Sequence, residues 1–279
     1  MDKYQNIAHN LIQAIENNEL ILPTQPEVAV RIRDCVEDPN VTPVKLANVI
    51  SHDPALTAKF IQIGNSPLNR GRVTIESLPN VISRLGFKYV CNIAIGLAME
   101  QIFQATNENI DKLMHDAWSS SSHVAAHAHV YAKCFSKIPS DTALLAGLMH
   151  QIGVLPILVY AQEVEELAEN KTLLLKLIKD HHAALSELIL KSWQFPDDIT
   201  SLPKQLFNDA QKANDGPNLV NIIEAALLKT HDLNKYFIEI ETPSSQIYER
   251  LHLDDDEPLN EDKFQDKLQE SMRFYCQLH

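Results

Sequence analysis

From Ala143 to Ala161 the chain reads ALLAGLMHQIGVLPILVYA, an apolar run interrupted only by His150, Gln151 and Pro156. A helix rises 1.5 Å per residue, so a run of this length is about long enough to cross a bilayer. It carries two polar side chains at its centre, and no second run of its kind exists in the sequence. The pattern therefore predicts an apolar helix over 140–160, buried in the core of a soluble protein. Buried positions rarely take two adjacent polar side chains without a reason. His150 and Gln151 are accordingly the first candidate functional residues.

The rest of the chain points to the same fold class. Hydrophobic residues make up 45% of the 279, enough for a sizeable core, while glycine occurs only 7 times. Sheets joined by tight hairpins need more turn glycines than that. The 14 prolines fall mostly between periodic segments, where they punctuate helices. Apolar residues at helical spacing predict a helix over 4–18 and others along 26–106. Thr42 is a cap for one of these, and Asp53 with Pro54 caps another. A T-x-x-S cap opens "TIESLPNVISRLG", which stops on Gly86. A long helix is expected over 109–136, amphipathic pieces over 162–170 and 172–180, and a further helix through "HHAALSELILKSWQFPDDI". Beyond it come a helix over 217–235, a short one in "SSQIYERLHL", and a last helix capped by Asn260 with the stripe Phe264, Leu268, Met272, Tyr275 and Leu278. The segment 235–241, "KYFIEIE", is the best strand candidate, but it has no evident partner and is read as irregular. The expectation is an all-α protein, whose character changes slightly from about residue 107.

Formal net charge is −13 and the basic residues are scattered, the densest group being Arg70, Arg72, Arg84 and Lys88. A protein that grips phosphates needs a concentrated basic face, so nucleic acid and anionic membranes are not expected partners. The four cysteines, Cys35, Cys91, Cys134 and Cys276, form no C-x-x-C pair. They fit a reducing, cytoplasmic setting, as does an N-terminus without a signal-peptide stretch.

Taken together, "LPTQPEVAVRI", "ISHDPALTAKFIQIGNSP", "VTIESLPNVISRLGFKYV", "AGLMHQIGVLPIL", "HHAALSELILKSWQFPDDI" and the "LHLDD" near 251 resemble the HDOD family, a signalling-associated relative of the HD-domain metal phosphohydrolases. The order and spacing of the motifs carry the resemblance over roughly 20–275. It implies an all-helical fold of two helical subdomains, 1–106 and 107–279, and a position where the HD relatives hold one or two divalent metals with His and Asp side chains from neighbouring helices. In this chain the first ligand position falls at Ser120. The His-Asp pair falls at His150 and Gln151, so the carboxylate has become an amide. The histidine of the following segment is His182. The next histidine pair falls near Leu206 and Phe207, and the late aspartate near Leu227 or Leu228. Two imidazoles without a carboxylate hold Mg²⁺ or Mn²⁺ poorly. Ser120, His150, Gln151 and His182 are therefore read as a vestigial pocket, with no catalytic residues, no metal and no cofactor.

His123 and His127 lie four apart on one helix face, the spacing of zinc ligands in H-E-x-x-H proteins, with Val124 where a glutamate base would stand. They are a possible secondary metal-like pair; the plainer reading is a half-exposed histidine face packed on a neighbour. For His150 and His182 the plainer reading is a hydrogen-bonded core histidine. The expected function is a non-catalytic signalling module that acts through a protein partner of unknown identity, its oligomeric state also unknown. The alternatives are a divergent metal-dependent phosphohydrolase and a nucleotide-sensing regulator that uses the degenerate pocket.

Overall fold

The computed structural model describes residues 3–17, 23, 26–66, 69, 71, 73–100, 102–206, 217–230, 244–251 and 262–275. Their regular secondary structure is all helix, with no strand among the described residues. The strand candidate at 235–241, the cap Asn260, and Arg70, Arg72 and Phe207 lie outside them.

Six helices make up the N-terminal part: α1 (Lys3–Glu16), α2 (Glu27–Glu37), α3 (Pro43–Ile50), α4 (Pro54–Asn65), α5 (Leu78–Leu85) and α6 (Phe87–Glu100). Local chemistry sets several of their ends. Thr42 accepts a hydrogen bond from the Lys45 N–H, and Asp53 accepts from Ala55 and Leu56, each satisfying N–H groups that the first turn leaves bare. Pro43 and Pro54 occupy the first helical position, where a missing N–H costs nothing. The expected T-x-x-S cap is not formed: α5 starts after Ser77, whose side chain makes no capping bond, and it stops at Gly86 with φ 87.

The second part is built on α7 (Glu108–Phe135), a 28-residue helix with α8 (Ser140–Met149) packed along it. Then follow α9 (Val154–Glu163), α10 (Glu165–Glu169), α11 (Lys171–Ser192), α12 (Asp197–Thr200), α13 (Leu202–Gln205), α14 (Leu219–Lys229), α15 (Ser244–Arg250) and α16 (Asp262–Tyr275). Helices α14 and α16 also pack on α7, and α11 packs on α9. In α16 the predicted stripe is real where it is described: Phe264 and Leu268 are buried, and Phe264 stacks on Tyr131 of α7.

Two expectations about continuity are corrected. The apolar run over 140–160 is not one helix. It is α8 and α9, separated by a turn at residues 150–153. Apolar periodicity continues through that turn because both sides are buried, so hydrophobicity alone hides the break. Conversely, the segments 172–180 and "HHAALSELILKS" are one helix, α11, since no breaker separates them. The stretch Ser140–Glu163 is long and apolar enough to cross a membrane, and its most apolar window is 89% buried inside the protein.

The core runs without a break across the expected subdomain boundary at 106–107, with α6 packed on both α2 and α8. Contacts distant in sequence close the fold. Tyr4 Oη donates to Asp180, Arg33 Nη1 donates to the Trp193 carbonyl at 2.7 Å, and Trp193 Nε1 donates to the Pro23 carbonyl at 3.0 Å.

Candidate functional site

The turn between α8 and α9 is held tightly on two sides by glycine. A Cβ at Gly147 would collide with the Ala125 backbone of α7, and one at Gly153 would collide with the His182 carbonyl and the Ser186 N–H of α11. The Gly153 N–H donates to Ser186 Oγ at 2.8 Å. So His150 and Gln151 sit where α7, α8, α9 and α11 come closest, and both are buried, as are Ser120, His182 and Ser186.

Backbone carbonyls fix how these side chains are oriented. His150 Nδ1 lies 2.6 Å from the Gly147 carbonyl. A carbonyl can only accept, so Nδ1 carries the proton and Nε2 presents a lone pair. The Gln151 amide nitrogen donates towards the Ala117 carbonyl at 2.9 Å, Ser121 Oγ at 2.9 Å and Ser120 Oγ at 3.3 Å, all on α7. Turning the amide over would set two acceptors against each other at Ala117, so Oε1 must face away from α7. No protein group among the described residues donates to either His150 Nε2 or Gln151 Oε1.

Burial keeps the imidazoles neutral. It lowers His150 to about 4, with the Gly147 carbonyl opposing. It lowers His182 to about 3, with His150 adding to the effect. The structure thus brings all four predicted pocket residues to one place. Ser120 and Gln151 meet through a hydrogen bond, and His182 lies across the turn with its carbonyl against Gly153. At the other expected ligand positions, Leu206 and Leu227 are buried apolar side chains. Among the described residues Glu224 is the one buried carboxylate, and it pairs with Arg250 at 2.8 Å.

His123 and His127 do share one face of α7, but each turns Nδ1 back to its own helix. His123 bonds to the Ser119 carbonyl at 2.8 Å and His127 to the His123 carbonyl at 2.9 Å. His127 is buried edge-on against Tyr131, and burial lowers it to about 4. Among the described residues no three His, Cys, Asp or Glu side chains are placed to hold a metal ion.

Sequence reasoning missed Ser121, Ser186 and the Ala117 carbonyl. A signal for the first was present: Ser119–Ser122 is a run of poor helix formers inside a long helix, as expected where hydroxyls serve buried partners. It also missed His129, which bridges to the start of α8 through the Ser140 carbonyl at 3.2 Å.

Comparison with known proteins agrees with this architecture. A protein of Shewanella amazonensis SB2B, provisionally named a metal-dependent phosphohydrolase, superposes with a TM-score of 0.84 at 28% identity, over 99% of this chain and 100% of that one. An HDOD domain protein of unknown function from Geobacter sulfurreducens shares the fold, with a TM-score of 0.64 at 18% identity over 96% of this chain and 99% of the other. An uncharacterised protein of Treponema pallidum (strain Nichols) is 20% identical over 240 residues, which are 81% of this chain and 44% of that protein. The chain therefore spans less than half of that relative. Residues 22–205 match the HDOD domain, and the chain belongs to this signalling-associated family.

Proposed function

We propose that this chain is a non-catalytic HDOD regulatory module that works by presenting helical surfaces to a signalling protein partner. The donor set of the buried centre carries the reading. The HD relatives that the fold resembles hold divalent metals at this position, and Mg²⁺ or Mn²⁺ would need carboxylate oxygen. Here the donors are a serine, an amide and two neutral imidazoles. The amide nitrogen is committed to α7, and the buried Glu224 is committed to Arg250. Such a set does not fit a hard divalent cation. Residues 1–106 and 107–279 are the two subdomains in this reading, and the setting is cytoplasmic.

Two other readings have specific support. The name given to the Shewanella protein favours a divergent metal-dependent phosphohydrolase. The two inward-facing acceptors, His150 Nε2 and Gln151 Oε1, favour a sensor of a small donor-bearing ligand such as a nucleotide. Elemental analysis and phosphodiester turnover, on protein purified without a His tag, separate the first two. The regulatory reading expects substoichiometric Mn, Fe and Mg and no turnover. One equivalent of tightly bound metal, with turnover removed by His150→Ala, establishes the phosphohydrolase. A rise in melting temperature with nucleotide in wild type, absent in His150→Ala, supports the sensor.

A further inference from the structure

Helix α11 ends in a turn whose hydrogen bonds define its backbone. The Gln194 N–H donates to the Lys191 carbonyl at 3.0 Å and the Phe195 N–H to the Leu190 carbonyl at 3.0 Å. This paired cap puts its middle residue in the left-handed region, and Gln194 has φ 58. Glycine fits that conformation without strain, yet the position holds an exposed glutamine. Arg33 and Pro23 hold the turn from the other side through Trp193. A strained residue kept in so firmly anchored a turn points to a use for its side chain.

Gln194 lines a cleft of about 410 Å³ between α2, α6, α8 and the α11–α12 turn. This volume lies in the range of small-molecule sites. Ile95, Leu145 and Ile199 make an apolar floor. Around it stand Arg33, Lys88 and Gln194, with the carboxylates Glu37 and Asp198 also lining the cleft. Arg33 lines the cleft while its Nη1 donates to the Trp193 carbonyl at 2.7 Å, which anchors the guanidinium beside the Gln194 turn.

We propose that this cleft binds a small organic anion, an apolar or aromatic body carrying a single carboxylate or phosphate. The body lies on the floor, the anion meets Arg33 and Lys88, and the Gln194 amide donates a hydrogen bond to it. Glu37 and Asp198 repel a larger anionic charge, so polyphosphates are excluded. The site is separate from the His150–Gln151 centre and does not depend on how that centre functions.

Calorimetric titration of the full chain with benzoate, phenyl phosphate, benzyl alcohol and ATP tests this. Saturable binding of benzoate or phenyl phosphate is expected, and the comparison of the two tells carboxylate from phosphate. Benzyl alcohol and ATP should bind at least about tenfold more weakly, as should benzoate or phenyl phosphate to Lys88→Gln, since a charge-assisted hydrogen bond is lost. Arg33→Gln also releases the Trp193 carbonyl, so Lys88→Gln is the cleaner variant. Gln194→Gly should raise the melting temperature by about 2 °C while weakening the anion severalfold. A merely structural glutamine would leave affinity unchanged, and that result would overturn its role. Failure of both anions to bind, benzyl alcohol binding as tightly as benzoate, or loss of binding in His150→Ala with Lys88→Gln unaffected would each overturn the site.

Discussion

Gly153 has φ −68, which any residue adopts, whereas Gln194 has φ 58, which glycine adopts best. In the first turn glycine is required by crowding, because α11 lies where a side chain would go. In the second, glycine is what the backbone favours, and it is absent. The two turns also orient their polar groups differently. Residues 150–153 point theirs inward, onto carbonyls and hydroxyls of α7, α8 and α11. Residues 193–196 turn Gln194 outward over a cleft. The contrast separates a turn whose composition is set by packing from one whose composition packing does not explain.

The largest effect that bears on this contrast is acid sensitivity of the interior. Burial lowers His127, His129 and His150 to about 4 and His182 to about 3, from 6.5 in the unfolded chain. Each folded value is depressed, so the folded state resists protons that the unfolded state takes up. The stability that these neutral rings allow is complete above about pH 6.5. It falls as pH drops towards 4, with a slope approaching about 1.4 kcal/mol per pH unit for each ring. Urea midpoints between pH 7.5 and 4.5 should show the decline, and a flat midpoint would mean that the imidazoles reach water.

Gly153→Ala comes next. Its new methyl meets backbone atoms of α11 that cannot swing aside, and the expected loss is about 3 kcal/mol or more. Near-normal stability in a chemical melt would show that the turn and α11 separate easily. His150→Ala should then cost about 1–3 kcal/mol, and His150→Gln less, because an amide can restore the bond to the Gly147 carbonyl. EDTA should leave both variants and the wild type unchanged. A wild type weakened by EDTA beside an indifferent His150→Ala would show metal holding the interior turn. The smallest effect has the opposite sign: Gln194→Gly should stabilise by about 0.5–1 kcal/mol in the same melts.

How much of this was legible in the sequence depended on how local the cause was. Thr42 and Asp53 cap helices through bonds two or three residues away, and the sequence shows them directly. The all-helical class follows from scarce glycine and repeated apolar spacing. The break at 150–153 was hidden, because it is made by the approach of α11 from more than thirty residues away. His150 and Gln151 stood out as polar residues in an apolar run, but their partners did not. His150 is the hydrogen-bonded core histidine expected, but its partner is the Gly147 carbonyl of α8, and it is Gln151 that takes the α7 partners. Pro196 marks the end of α11, but the left-handed residue at Gln194 carries no sign, since glycine or asparagine would have marked it and neither is there.

The contacts of α1 and α2 with α11 have a consequence for the order in which the chain assembles. Tyr4 meets Asp180, Pro23 meets Trp193 and Arg33 meets Trp193, at sequence separations of 176, 170 and 160. At roughly 5–20 residues per second, a ribosome needs on the order of ten to thirty seconds to deliver α11 after α1 has emerged. For that interval Tyr4 lacks its Asp180 partner, and Leu11 lacks the Ala184 and Leu185 side chains with which it lines a pocket in the finished protein. Non-local closure of this kind slows folding relative to a bundle of neighbouring hairpins. The nascent chain therefore presents its first helix to chaperones well before the fold can receive it.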